Sequence, residues 1–258
     1  MSVEPAKDKP RAKLSLKGSS KLVAEFFQYS INTILWVFLK FKTLRKTNSI
    51  PASSAASILQ TTSARTLPAT PHTNTSSQFR RFKKYGLTML VSSDDQVKAY
   101  IKKIMGQLDK WMIGGKISKL VVVITSKDTG EHVERWQFDV QIFNKSSSKK
   151  SSKKTTDKEN AAPADAAAAP PTEKTEAEIQ AEIQSIFRQI TASVTFLPQL
   201  DGDCTFNVLV YADADSEVPM EWGDSDAKEI KNGEKVQLRS FSTTNHKVDT
   251  LVSYRIGD

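Results

Sequence analysis

The chain has 258 residues, 38% of them hydrophobic, and a formal net charge of +8. That charge is uneven: residues 1–92 carry 15 Lys+Arg against 3 Asp+Glu, and residues 93–258 carry 22 against 26. The basic excess sits in tail-like and loop-like sequence without a recognition helix or interleaved aromatics, which argues against a nucleic-acid surface. Cys204 is the only cysteine, so no disulfide forms within the chain, as in a reducing compartment. Met1 to Lys17 lacks the apolar core of a secretory signal. The apolar run from Ile31 to Phe41 contains Asn32 and Lys40 and is shorter than the ~20 residues a membrane span needs. A soluble, intracellular protein with one core and no membrane partner is expected.

Along the chain, Leu22, Val23, Phe26, Phe27, Ile31, Ile34 and Leu35 follow Gly18-Ser19-Ser20 at spacings of one, three and four, which predicts a core-facing first helix. A second is predicted from a Ser93 cap with Gln96 reaching back. Val97, Tyr100, Ile101, Ile104, Leu108 and Trp111 form its buried face, and Gly114-Gly115 end it. Leu120 to Ile124 is apolar and β-branched, the composition of a buried strand. Beyond Asp128-Thr129-Gly130, Trp136, Phe138, Val140 and Ile142 alternate with polar residues, which completes a hairpin with one face in the core.

Thr175 and Glu178 make a capping-box pattern before Ile179, Ile183, Ile186, Phe187 and Ile190, the apolar face of a third helix. Val194 to Leu197 and Thr205 to Tyr211 read as further strands. Near the end, Val248, Thr250, Val252, Tyr254 and Ile256 recur with period two. A patterned, half-apolar terminus must be tied down by a sheet or a partner. The elements together predict an α+β domain, three helices packed on a mainly antiparallel sheet.

Two stretches stand apart. There is no acidic residue between Glu25 and Asp94, and residues 51–78 are rich in Ser, Thr, Ala and Pro without period. Residues 144–171 pass from a Lys/Ser run into Ala/Pro. Such sequence buries too little apolar surface to offset its ordering entropy and is expected to form disordered loops.

Chemistry-bearing motifs are sparse. There is no Gly-rich phosphate loop, His-Glu-x-x-His or Gly-x-Ser-x-Gly, and His72, His132 and His246 are scattered. The acidic run Asp213, Asp215, Glu217, Glu221, Asp224 and Asp226 lacks the ligand order and glycine of a calcium loop. Neither catalysis nor metal binding is expected; an enzyme remains the rival class, with Cys204 or His246 as its only candidates.

Several segments, in order, carry a resemblance: Lys21-Leu-Val-Ala-Glu-Phe-Phe27, Lys84-Tyr-Gly-Leu-Thr88, Lys119-Leu-Val-Val-Val-Ile124, Glu134-Arg-Trp-Gln-Phe-Asp139, Arg188-Gln-Ile-Thr-Ala192, Val194-Thr-Phe-Leu-Pro198, Arg239-Ser-Phe241 and His246-Lys-Val248. Together they are similar to the HORMA-domain proteins of the spindle assembly checkpoint, over most of residues 14–256 outside the two loops. The resemblance implies a HORMA domain, residues 14–256, after a disordered N-terminus of residues 1–13. Insertions at about 42–78 and 144–172 would interrupt it.

It also implies a conformational switch for mitosis and cell division. In the family, a C-terminal safety belt packs along one sheet edge or crosses to the other, where it closes over an extended peptide that adds a strand. By motif, Phe206, Val208, Val210 and Tyr211 would form the peptide-binding edge strand. Leu238, Phe241, His246, Val248, Leu251, Val252 and Tyr254 would form the belt, with Trp111 beside its path. Arg188, Gln189 and Phe196 would join an open copy to a closed one.

The implied partners are a coiled-coil kinetochore checkpoint receptor (mitotic arrest deficient protein one), the cell-division-cycle activator of the anaphase-promoting complex, a second copy of the chain, and an ATP-driven HORMA remodeller. No cofactor is implied. The implied locations are nucleus, kinetochore and cytoplasm. A meiotic-axis or translesion-polymerase HORMA adaptor is the alternative; the chain's stop at Asp258, with no further tail, favours the mitotic role.

The departure from the family lies between Leu35 and Phe79, where a short Tyr/Arg/Gly/Tyr/Pro connection is replaced by the basic, acid-free stretch. That stretch reads as a translated intron, a gene-model error or a real insertion. Sequencing the spliced transcript decides: a message without the stretch removes it from the protein, and an uninterrupted one makes it part of the protein.

Overall fold

The computed structural model describes residues 15–44, 65–66, 79–143, 174–198, 203–220 and 222–255. The expected N-terminal tail, most of the first expected insertion, all of the second, Glu221 and Ile256 lie outside them.

Among the described residues three α-helices form. The first stripe builds α1 (Leu16–Leu44). It begins earlier than Gly18-Ser19-Ser20 led us to expect, because the Ser15 hydroxyl accepts the Gly18 N–H at 3.1 Å and caps it. Ser19 and Ser20, read as the border, are buried within it. The helix also continues past Leu35, with Val37 and Phe38 in the core. Helix α2 (Asp95–Ile113) is capped by Asp94, not Ser93: the Asp94 carboxylate accepts from Gln96 N and Val97 N. Gly115 turns the chain out of it at φ +66°, which a residue with a Cβ adopts only under strain. Helix α3 (Glu176–Ala192) has the expected Thr175/Glu178 capping box, and all five expected apolar residues are buried.

The main sheet comprises β1 (Arg65–Thr66), β4 (Ile117–Ser126), β5 (His132–Ile142), β6 (Cys204–Ala212), β7 (Glu234–Gln237), β8 (Phe241–Ser242) and β9 (His246–Tyr254). Its order is β1-β6-β4-β5-β9-β7, with β8 also on β9, and every pairing is antiparallel. Leu120, Val122 and Ile124 of β4, Trp136 and Phe138 of β5 and Phe206 and Val208 of β6 join the helices in one core. On the opposite face Val121, Val123 and Leu209 form a small second cluster, with Tyr211 against it.

Two local expectations are corrected. Val194 to Leu197 is not a strand: Ser193–Thr195 continues α3 as a 3-10 turn, with Phe196 N and Leu197 N bonded to Ser193 O. A second, two-stranded sheet was missed, formed by β2 (Phe79–Lys84) and β3 (Leu87–Ser92). Tyr85 and Gly86 join them with φ of 49° and 65°, the positive pair of a type I′ hairpin turn.

Phe26 is the junction of the layers. It is fully buried, with ring centroids 5.4 Å from Phe187 of α3, 5.7 Å from Phe138 of β5 and 4.9 Å from Phe241 of β8. Phe26→Ala is expected to cost about 3–5 kcal/mol by urea unfolding, the range for a buried aromatic whose cavity cannot collapse; a loss below about 1 kcal/mol would contradict this packing.

Candidate functional site

Strand β6 has two sides. Its inner side pairs with β4 along the whole strand, from Cys204↔Ser126 to Ala212↔Ile117. On its outer side, among the described residues, only β1 pairs, at Phe206 and Thr205. Alternate N–H and C=O groups of residues 207–212 therefore face outward without a strand partner, a template for strand addition. Of the expected edge residues, Phe206 and Val208 are buried core side chains, Val210 packs against the core, and Tyr211 lies on the opposite face with the Lys119 ammonium 5.2 Å from its ring centroid. This edge presents backbone; its side chains fix the strand in place.

The C-terminal segment is on the other side of the sheet. β9 pairs with β5 from Ile142↔His246 to Glu134↔Tyr254. Its alternation puts His246, Val248, Thr250 and Val252 inward, all buried, while Leu251 faces out beside Gln137. Leu238 and Phe241 are buried as well. Tyr254 meets the half-exposed ring of Phe196, centroids 5.6 Å apart.

Residues 213–233 link the two edges, and their contacts trace the path. At the β6 end, Lys116 pairs with Asp215 at 2.6 Å. The Trp111 indole N–H donates to Glu217 O at 3.1 Å, and its ring meets Trp222 edge-on. Trp111 thus touches the linking segment, not β9. At the far end Arg135, buried on the opposite face, donates from Nε to Ala227 O at 3.1 Å and pairs with Glu229. The segment passes from the helical face to the open face, wrapping the sheet.

Helices hold the belt through contacts that sequence reasoning missed. Glu182 of α3 accepts Ser242 N at 3.1 Å, and Lys174 bridges Glu182 and Ser242 Oγ. Gln189 accepts Arg239 N at 2.7 Å, while Arg188 beside it is exposed. From α1, the Ser19 hydroxyl lies 2.6 Å from His246 Nδ1 and 2.5 Å from Thr243 Oγ1. The stretch of residues 242–247 looked like a plain polar run, and nothing local in it announces that Ser19 meets it 227 residues away.

Two titratable groups are buried at the belt, one in it and one on β5 beside it. Burial pushes the His246 imidazole down to about 4, and its Nε2 has no partner among the described residues. Burial pushes the Glu134 carboxyl up to about 7, against the hydrogen bond it accepts from the Trp136 indole.

The HORMA domain profile matches residues 19–246. The chain belongs to the HORMA-domain family. Its relatives place it among the spindle-checkpoint members: it is 44% identical to the mitotic spindle checkpoint component mad2 of Schizosaccharomyces pombe, over 95% of this chain and 96% of that one. It is 37% identical to the human mitotic spindle assembly checkpoint protein MAD2A, over 94% and 93%. A chain in a crystal structure of the mitotic checkpoint complex matches with a TM-score of 0.65 and 44% identity, over 93% of this chain and 99% of that one. The structure of Caenorhabditis elegans HTP-2 bound to a HIM-3 closure motif shares the fold alone, at 10% identity and a TM-score of 0.57 over 98% and 100%. This is a spindle-checkpoint HORMA protein, and the alternative of a meiotic or polymerase adaptor falls away.

The two buried groups oppose each other with pH. His246 is depressed in the fold, so its contribution is complete above about 6.5 and is lost as pH falls towards 4. Glu134 is raised, so its contribution is complete below about 4.5 and is lost as pH rises through 7. Between pH 4.5 and 6.5 the slopes offset one another. His246→Asn should unmask a stability that falls across this window, and Glu134→Gln one that rises, each differing from the parent by on the order of 2–3 kcal/mol. Urea midpoints at several pH values check this; parallel curves for all three proteins would refute it.

Proposed function

We propose that this protein delays anaphase by clasping short peptide segments between the outer edge of β6 and the belt. The observation that carries the reading is the placement of β9 on β5, which leaves the outer side of β6 open along residues 207–212 while the described residues between β6 and β7 pass from one face to the other. A peptide laid along β6 gains main-chain hydrogen bonds, and the wrapping segment then blocks its departure. Val218 and Met220, apolar and exposed on that segment, are suited to contact it.

The clients are the coiled-coil kinetochore receptor and the activator of the anaphase-promoting complex, met at the kinetochore and in the nucleus and cytoplasm. The arrangement of β9 described above is the closed one. An open one would seat the C-terminal segment against β6 and cover the peptide edge, so peptide binding selects the closed form by its differential affinity. Arg188, exposed on α3, is the contact best suited to a second copy. Gln189 and Phe196 already touch the belt at Arg239 and Tyr254, which ties any copy-to-copy contact there to belt position. The domain runs over residues 14–256, and reopening draws its energy from an external ATP-driven remodeller. No catalytic step is assigned to the chain.

Ion-exchange chromatography of the recombinant protein should resolve two slowly interconverting monomer peaks, which merge when a peptide from the coiled-coil receptor is added. Removal of residues 238–258 should abolish capture of that peptide in anisotropy titrations. Undiminished capture by the truncated protein would sink the proposal.

A further inference from the structure

The stretch between α1 and β2 was expected to stand outside the fold, yet Arg65–Thr66 of that stretch is strand β1. It pairs antiparallel with β6, Arg65 opposite Phe206 and Thr66 opposite Thr205. In an antiparallel ladder, neighbouring residues of a strand turn their N–H and C=O groups to opposite sides. One of Thr205 and Phe206 therefore bonds to β4 and the other is directed at β1.

The placement overlaps the edge on which a peptide would pair. Strand β1 covers the first third of β6 and leaves residues 207–212 open, so a peptide adding along all of β6 must push β1 aside. Tethering makes this cover effective despite its shortness. The chain has 20 residues between Leu44 and Arg65 and 12 between Thr66 and Phe79; even the shorter tether reaches ~40 Å when extended. A segment joined to the fold on both sides by the chain stays near its site at an effective concentration of roughly millimolar order. Shortness makes the cover displaceable. Pro68, two residues beyond Thr66 in the sequence, has no N–H to give a ladder.

We propose that strand β1 is a built-in, weak occupant of the peptide edge, a segment of the protein's own chain that competes with incoming peptides. The proposal rests on the reading of β6 as the peptide edge. It makes the insertion a working part that raises the threshold for peptide capture.

The test uses the full chain and the variant Arg65→Pro/Thr66→Pro, which keeps the length but removes both backbone N–H groups, among them the one directed at β6. Urea unfolding should be the same for both to within about 1 kcal/mol, since β1 adds only two residue pairs to the ladder. The first readout is amide hydrogen exchange at Thr205 and Phe206, where one of the two amides should exchange about tenfold faster in the variant. The second is anisotropy with a labelled synthetic peptide of residues 61–70. The variant should bind it about fivefold or more tightly than the parent, because freeing the competent edge raises apparent affinity by the fraction released.

Equal exchange in the two proteins would overturn the proposal. So would equal affinity for the 61–70 peptide when both proteins still capture a receptor peptide, and the reading of β6 would then stand. Faster exchange in the variant, with no peptide captured by either protein, would overturn the proposal and the reading of β6 together.

Discussion

Backbone hydrogen bonding at the two sides of a run of four strands in one sheet, β6-β4-β5-β9, governs everything else in this molecule. Strands β4 and β5 are satisfied on both sides, so only β6 and the strands beyond β5 can vary. An antiparallel ladder neither knows nor cares which residues supply its main-chain groups, and any extended segment with a compatible face can fill the edge. With β9 on β5, the C-terminal segment satisfies one border and leaves the other with a short cover, β1. Binding by strand addition follows from this asymmetry. No pocket chemistry is required.

What selects β9 for its place is its inward face. Val248 and Val252 fill the sheet side of the core, and β8 brings Phe241 against Phe26 of the first helix. Polar contacts from two helices then hold the segment: Ser19 of α1 meets His246 at the start of β9, and Glu182 and Gln189 of α3 accept from Ser242 N and Arg239 N. A one-residue slip would turn Val248 and Val252 outward and part His246 from Ser19, so the alternation alone excludes neighbouring registers.

Much of this was legible in the sequence. The stripes of α2 and α3, the Thr175/Glu178 box, the β4–β5 hairpin and the period-two terminus all depend on spacing within a few turns, and each forms. The family resemblance supplied the HORMA fold and the checkpoint role, which no chemical motif carried. The failures were local where chemistry was ambiguous. Arg80 and Arg81 masked β2, and the apolar Val194-Thr-Phe-Leu197 imitates a strand although it simply overwinds the end of α3. Other things were invisible because they are long-range. Ser19 and Ser20 look like a helix border until the belt arrives, and nothing around Arg65 hints at Phe206.

A switch needs two arrangements within a few kcal/mol, and the seat of the belt contains both halves of that balance. Burying Leu238, Phe241, Val248 and Val252 favours this placement by about 1.5–3 kcal/mol per side chain. Against it stand buried polar atoms left without partners among the described residues, His246 Nε2 and Thr250 Oγ1, at about 1–3 kcal/mol each. Glu134, opposite Tyr254, adds a carboxyl that burial keeps from ionising freely near neutral pH. A belt built only for stability would have replaced these groups with apolar ones of the same shape. Retaining them trims the advantage of this placement, as the proposed switch requires.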